Sequence, residues 1–151
     1  MLLKRDNYIH WHRCHESSRV VSDIFWTHPD SLKLLNAFSN VLLMDSTYKT
    51  NKYRLPLLEI VGVTSTSLTF SAAFVLMSNE RENNFTWVLQ RLRGLFFRGD
   101  VYSIVIVSDR DLTLMSVIKV VFPEAYNSLC RFHINKIVKA KCKTLVHPRE
   151  T

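Results

Sequence analysis

Two short apolar runs decide the fold: Val41-Leu-Leu-Met44, which ends at Asp45, and Ser103-Ile-Val-Ile-Val107, which ends at Ser108-Asp109. A continuous apolar run of this length, closed by polar residues, reads as a β-strand buried on both faces. Between the two runs, Leu55 to Thr66 and Leu68 to Met77 are rich in Ile, Val, Leu and Phe and read as further strands. Tyr48 to Arg54 and Ser65-Thr-Ser67 are the links. They are too short for a parallel crossover, so the first three strands form an antiparallel meander.

After the meander the apolar period changes. Phe85, Val88, Leu89, Leu92 and Leu95 recur at helical spacing, with Ser78 as an expected N-cap, early acids facing the dipole, and Gly94 and Gly99 at the exit. Past Asp109, Leu112, Met115, Val117, Ile118 and Val121 fit a second helix that stops before Pro123. Asn127 to Phe132 reads as a fifth strand and Ile134 to Lys143 as a basic helix. Upstream, Thr27-His-Pro-Asp-Ser31 is a turn with Asp30 or Ser31 as cap, followed by a helix through Leu32, Leu35 and Phe38. Helical crossovers make strands 41–44, 103–107 and 127–132 parallel. The expected fold is therefore α/β: a mixed five-stranded sheet, a three-strand meander plus two parallel strands, flanked by helices. The expected organisation is a polar segment over 1–20, one domain over 21–145 and a short tail over 146–151.

Composition agrees with a single packed domain. The 151 residues are 47% hydrophobic, with nine Phe and only three Gly and four Pro, which argues against low-complexity or collagen-like sequence. Three cysteines, Cys14, Cys130 and Cys142, make no disulfide framework and fit a reducing compartment. No apolar stretch is long enough to cross a bilayer, and no glycine-rich phosphate loop is present, so neither membrane insertion nor a nucleotide cofactor is expected. The net charge is +7. Charge of that size serves solubility as readily as polyanion binding. Its distribution says more: Arg131, Lys136, Lys139, Lys141 and Lys143 follow one another closely near the C-terminus, a segment suited to neutralising phosphates.

Asp45 and Asp109 are the acids with a chemical reading. Each directly follows a buried strand, and ligands of open α/β sheets gather at the carboxyl ends of parallel strands. Two carboxylates brought together repel unless a cation lies between them. Mg²⁺ or Mn²⁺, with its preference for carboxylate oxygens and water, is the fitting partner. The competing reading is that such residues only end strands or cap the next helix, and Asp109 and Asp111 both stand at a capping position. Spacing alone leaves both readings open. Cys130 and His133 are two soft ligands where zinc wants about four, and only Cys142 and His147 are near in sequence. A structural role is the better reading of that pair. His10, His12, Cys14 and His15 are ligand types in what reads as a polar loop.

Three motifs go further. Asp45-Ser-Thr-Tyr-Lys-Thr-Asn51 with Tyr53-Arg-Leu-Pro-Leu-Leu58, Ser108-Asp-Arg-Asp-Leu-Thr-Leu-Met115 with Val121-Phe-Pro123, and Leu129-Cys-Arg-Phe-His-Ile-Asn-Lys136 occur in order. Together with Ser78-Asn-Glu-Arg-Glu-Asn-Asn84 and Trp87 they resemble the core of the Mutator-like (MULE-type) DDE transposases and the plant far-red-response regulators derived from them. The similarity runs over about residues 20 to 145. It implies a ribonuclease-H-like fold, with Asp45 and Asp109, rather than Asp111, as the first two acids of a catalytic triad binding Mg²⁺ or Mn²⁺. The third acid is expected downstream of Thr151, on a last helix that this sequence does not reach. The resemblance implies transposon-end DNA as partner, self-association and a nuclear location. It leaves two activities: DNA strand cleavage and transfer, or an inactive, domesticated relative acting as a DNA-binding regulator or interaction module.

Overall fold

A computed structural model describes residues 2–48, 51–97 and 104–131. Seven strands form one mixed sheet. β1 (Ile9–Cys14) and β2 (Val21–Thr27) precede α2 (Pro29–Ala37), and a four-residue helix, α1 (Leu2–Arg5), precedes β1. The meander follows as β3 (Val41–Thr47), β4 (Leu57–Val63) and β5 (Thr69–Leu76). Then come α3 (Glu82–Arg93), β6 (Val105–Ser108), α4 (Leu112–Val121) and β7 (Tyr126–Leu129). The order across the sheet is β1-β2-β5-β4-β3-β6-β7.

The expected core of this arrangement is present. β3, β4 and β5 pair antiparallel as a meander, while β3–β6 and β6–β7 pair parallel. Among the described residues the count is corrected from five strands to seven. Ile9–Cys14 alternates polar and apolar residues, and as an edge strand it needs one good face only. It lays Trp11 against Phe25 and Arg13 against Asp23. The cluster His10, His12, Cys14 is therefore strand rather than loop. The expected basic helix over 134–143 lies outside the described residues.

Strand alternation separates two faces. On one, Leu42, Met44, Leu58, Ile60, Val75 and Ile106 are buried and pack with Phe85, Val88, Leu89, Leu92, Leu114, Val117 and Ile118 of α3 and α4. Burying side chains of this size stabilises by roughly 1.5–3 kcal/mol each. The residues between them, such as Leu43, Val61 and Val107, point the other way and are half-buried.

Helix ends correct two expectations. α2 begins after His28, whose side chain accepts from the Asp30 N–H, so the cap is His28 rather than Asp30 or Ser31. α3 begins after Arg81, which makes no side-chain cap bond. Ser78 is used elsewhere: its N–H and hydroxyl both donate to Asp23 Oδ1. α4 behaves as expected, with Asp111 Oδ1 accepting from the Leu114 N–H at 2.9 Å and the helix ending at Phe122. Arg93 clamps the end of α3 to that of α4 by donating to Val121 O and pairing with Glu124.

Candidate functional site

The site is built by register. β3 and β6 run side by side with Leu42 opposite Ile106 and Met44 opposite Ser108. One step further along each chain stand Asp45 and Asp109. Neighbouring strands lie about 4.8 Å apart, so the backbones at Asp45 and Asp109 are close neighbours, each one place beyond a paired residue. Asp45 does not end its strand, as the sequence suggested. β3 continues to Thr47 because its pairing with β4 continues to Leu57. Asp45 is therefore an exposed in-strand residue, directly opposite Glu59. Asp109 is half-buried and accepts from the Asp111 N–H at 3.3 Å. The capping work at α4 belongs to Asp111, which leaves Asp109 as the acid at the strand end.

Asp45 and Glu59 line one cleft of about 310 Å³ with Leu43, Val61, Val107 and Cys130. Glu59 is held by the Ser71 hydroxyl at 2.6 Å. Cys130 reaches the same edge because its N–H donates to Ser108 O at 2.7 Å. The first half of the Cys-x-x-His motif thus lies beside the acids. Arg131 is exposed immediately after it, whereas His133, Lys136, Lys139, Lys141 and Lys143 lie outside the described residues.

A further acid arrives from a loop that sequence reasoning read only as a helix start. Glu80, between β5 and α3, accepts a hydrogen bond from the hydroxyl of Ser46, the chain neighbour of Asp45 that faces the helix-packed side of the sheet while Asp45 faces the other. Burial raises the Glu80 carboxyl above its ordinary range; the Ser46 bond opposes this, and the charges of Asp111 and Asp109 add to it. The loop itself is pinned by Asp23, which is 2% exposed. Asp23 accepts from Ser22, from the Ser78 N–H at 3.0 Å and from Asn84 at 2.9 Å, and pairs with Arg13 at 3.0 Å. Arg13 in turn stacks over Trp87. Burial pushes the Asp23 carboxyl up, but those hydrogen bonds and the Arg13 charge outweigh it and hold it below the usual carboxylate range.

A magnesium-type ion needs only one or two protein carboxylates, completing its shell with water. Asp45 and Asp109, each one place beyond a paired residue of adjacent strands, are two hard-oxygen donors of that kind. Among the described residues no set of three His, Cys, Asp or Glu forms a ready cage. A buried hydroxyl without a partner, Ser108 Oγ, lies directly before Asp109.

A mixed sheet with packed helices, bearing Asp45 within one strand and Asp109 just past its parallel neighbour, defines the class: an α/β domain. Within that class the MULE transposase domain matches residues 41–137, and the chain belongs to that family. Protein FAR1-RELATED SEQUENCE 5 of Arabidopsis thaliana is 30% identical over 132 residues, which are 85% of this chain and 16% of that protein. A PKS-NRPS hybrid synthetase, cheA, of Chaetomium globosum is 30% identical over 128 residues, 82% of this chain and 3% of that protein. Protein FAR-RED IMPAIRED RESPONSE 1 of Arabidopsis thaliana is 26% identical over 113 residues, covering 74% of this chain and 13% of that protein. The chain thus spans a small fraction of the length of the curated relatives it matches.

Proposed function

We propose that this chain is the acid-bearing part of a ribonuclease-H-like DNA-processing core, in which Asp45 and Asp109 hold Mg²⁺ or Mn²⁺ for strand cleavage and transfer at the ends of a mobile element. The observation that supports the reading is the β3–β6 register, which pairs Met44 with Ser108, the residues just before the two motif acids, although more than sixty residues separate those acids in sequence. Bound there, such an ion would stabilise the charge that develops on phosphodiester oxygens. Asp45 and Asp109 would orient it, and the open sheet edge would admit a backbone. Arg131 and the lysines at 136, 139, 141 and 143 would hold that backbone by charge, without reading base sequence. DNA as partner and a nuclear location belong to the same proposal.

A Mn²⁺ titration of the chain by calorimetry tests it. Saturable binding is expected, lost in both Asp45→Asn and Asp109→Asn. Binding that survives either substitution removes the shared site. A second reading is favoured by the similarity to FAR1-related proteins: a domesticated, non-catalytic relative serving as a regulatory or interaction module. It predicts a folded chain that binds DNA with no Mn²⁺ dependence.

A further inference from the structure

We propose that the chain's own basic segment, residues 134–143, docks across the sheet face turned away from α3 and α4, with Ile134, Ile137 and Val138 against that face and Lys141 beside Glu59. This docking uses only the charge of the acids and holds whether or not Asp45 and Asp109 take a metal. Val107, Leu43 and Val61 stand in one row across β6, β3 and β4. All three are half-buried, and with Cys130 they line the cleft of about 310 Å³. In the same cleft Asp45 stands directly opposite Glu59. Like charges directly opposite each other on neighbouring strands destabilise a sheet. Among the described residues no Lys, Arg or His forms an ion pair with either acid. An apolar row beside an acid pair of this kind fits an occupant that is apolar on one side and carries a cation there.

The segment after β7 has that pattern and starts at the right place. Cys130, whose N–H donates to Ser108 O at 2.7 Å, brings the chain to the rim of the cleft. At the helical period expected over 134–143, Ile134, Ile137 and Val138 share one stripe, and Lys141 is the basic residue on it. Lys136, Lys139 and Lys143 fall on the opposite side. The length agrees as well. A helix over 134–143 is about 15 Å long. The three steps from β7 through β6 and β3 to β4 come to about 14 Å. Lys141, close to the far end, therefore comes to the strand that bears Glu59, and the outward lysines stay free for phosphates. A segment standing free in water, the bland alternative, would leave its apolar stripe solvated and the acid pair without a cation.

The test is zero-length carbodiimide cross-linking of the full chain without metal or DNA, in which a lysine amine and a carboxylate in contact condense to an amide, read by peptide mass spectrometry. Asp30 and Lys33, 3.7 Å apart, are the internal control. Lys141 is expected to link to Glu59, while Lys136, Lys139 and Lys143 stay unlinked to Asp45, Glu59 and Asp109. Ile137→Asp places a charge on the apolar stripe and should lose the Lys141 link while keeping the Asp30–Lys33 link. Links spread evenly over the four lysines would mean a segment with no fixed side and would overturn the proposal. So would an Asp30–Lys33 link with none at Lys141, or a Lys141 link that survives Ile137→Asp. In a mixture of isotope-labelled and unlabelled chains, a Lys141–Glu59 link that joins the two would make a second copy the occupant and overturn it as well.

Discussion

Asp23→Asn strikes a buried carboxylate that joins β1, β2 and the β5–α3 loop. Asp23 is 2% exposed and accepts from Arg13, Ser22, Ser78 and Asn84. Every one of these groups is a donor. An amide offers one oxygen and two N–H donors, so half of the new side chain would face donors with donors. Arg13 would also lose its counter-charge. Breaking a buried ion pair costs about 3–5 kcal/mol. The Arg13 side chain is 27% exposed and can recover some hydration, which selects the low end, about 3 kcal/mol. For a chain of this size that is a fall of about 6–12 °C in melting temperature. Urea unfolding followed by tryptophan fluorescence measures it. Trp87 carries the Arg13 guanidinium 4.8 Å from its ring centroid, so the probe sits at the perturbed network. The pH dependence has a fixed sign. A carboxyl held below its ordinary range gives stability that is full above the unfolded-state value and is lost as pH falls through the folded-state one. The gap between the unsubstituted chain and Asp23→Asn should therefore close in acid. A loss below about 1 kcal/mol at neutral pH, in the range of an ordinary surface pair, would refute the assignment of Asp23 as the anchor of the β5–α3 loop.

Gly62 lies opposite Phe70, and a Cβ built there would meet Phe70 Cζ at 2.2 Å. Gly62→Ala should destabilise by about 1–3 kcal/mol through overpacking, and most of that cost should vanish in a Phe70→Ala background. An equal cost in both backgrounds would mean that the ring is not the obstacle. Asp111→Ala removes the α4 cap and should lower stability by about 1 kcal/mol, whereas Asp111→Asn, still an acceptor, should keep most of it. Chemical denaturation separates the two, and equal losses would show that the charge rather than the cap matters.

The parallel pair and the meander were legible because their apolar runs have no other use, although they are fully buried on one face only and half-buried on the other, where burial on both was expected. Asp45 and Asp109 stood out for a related reason, since a carboxylate next to such a run is conspicuous. What stayed hidden depends on contacts distant in sequence. β1 looks polar because His10 and His12 occupy the face away from the helices, and only pairing with β2 shows Trp11 and Arg13 to be inward. Asp45 was placed just after its strand because nothing in Asp45-Ser-Thr47 announces that pairing with β4 goes on to Leu57. Ser78 has the sequence signature of a cap but is claimed by Asp23, fifty-five residues upstream. Glu80 was indistinguishable from an acid favouring a helix dipole until the fold brought Ser46, Asp109 and Asp111 to it.

The position of Asp45 inside β3, rather than at its end, makes the acid a matter of parity. Along a strand, odd and even places face opposite sides, so losing one residue from the middle of β3 would exchange Asp45 with Ser46: the hydroxyl would take the carboxylate's side and the carboxylate would turn toward the packed helices. Losing two would shorten the strand and keep every side chain facing its own way. Copies of such a domain that drift by small deletions would thus divide by whether the count is odd or even. The former would lose the carboxylate edge at a stroke while keeping nearly all their residues.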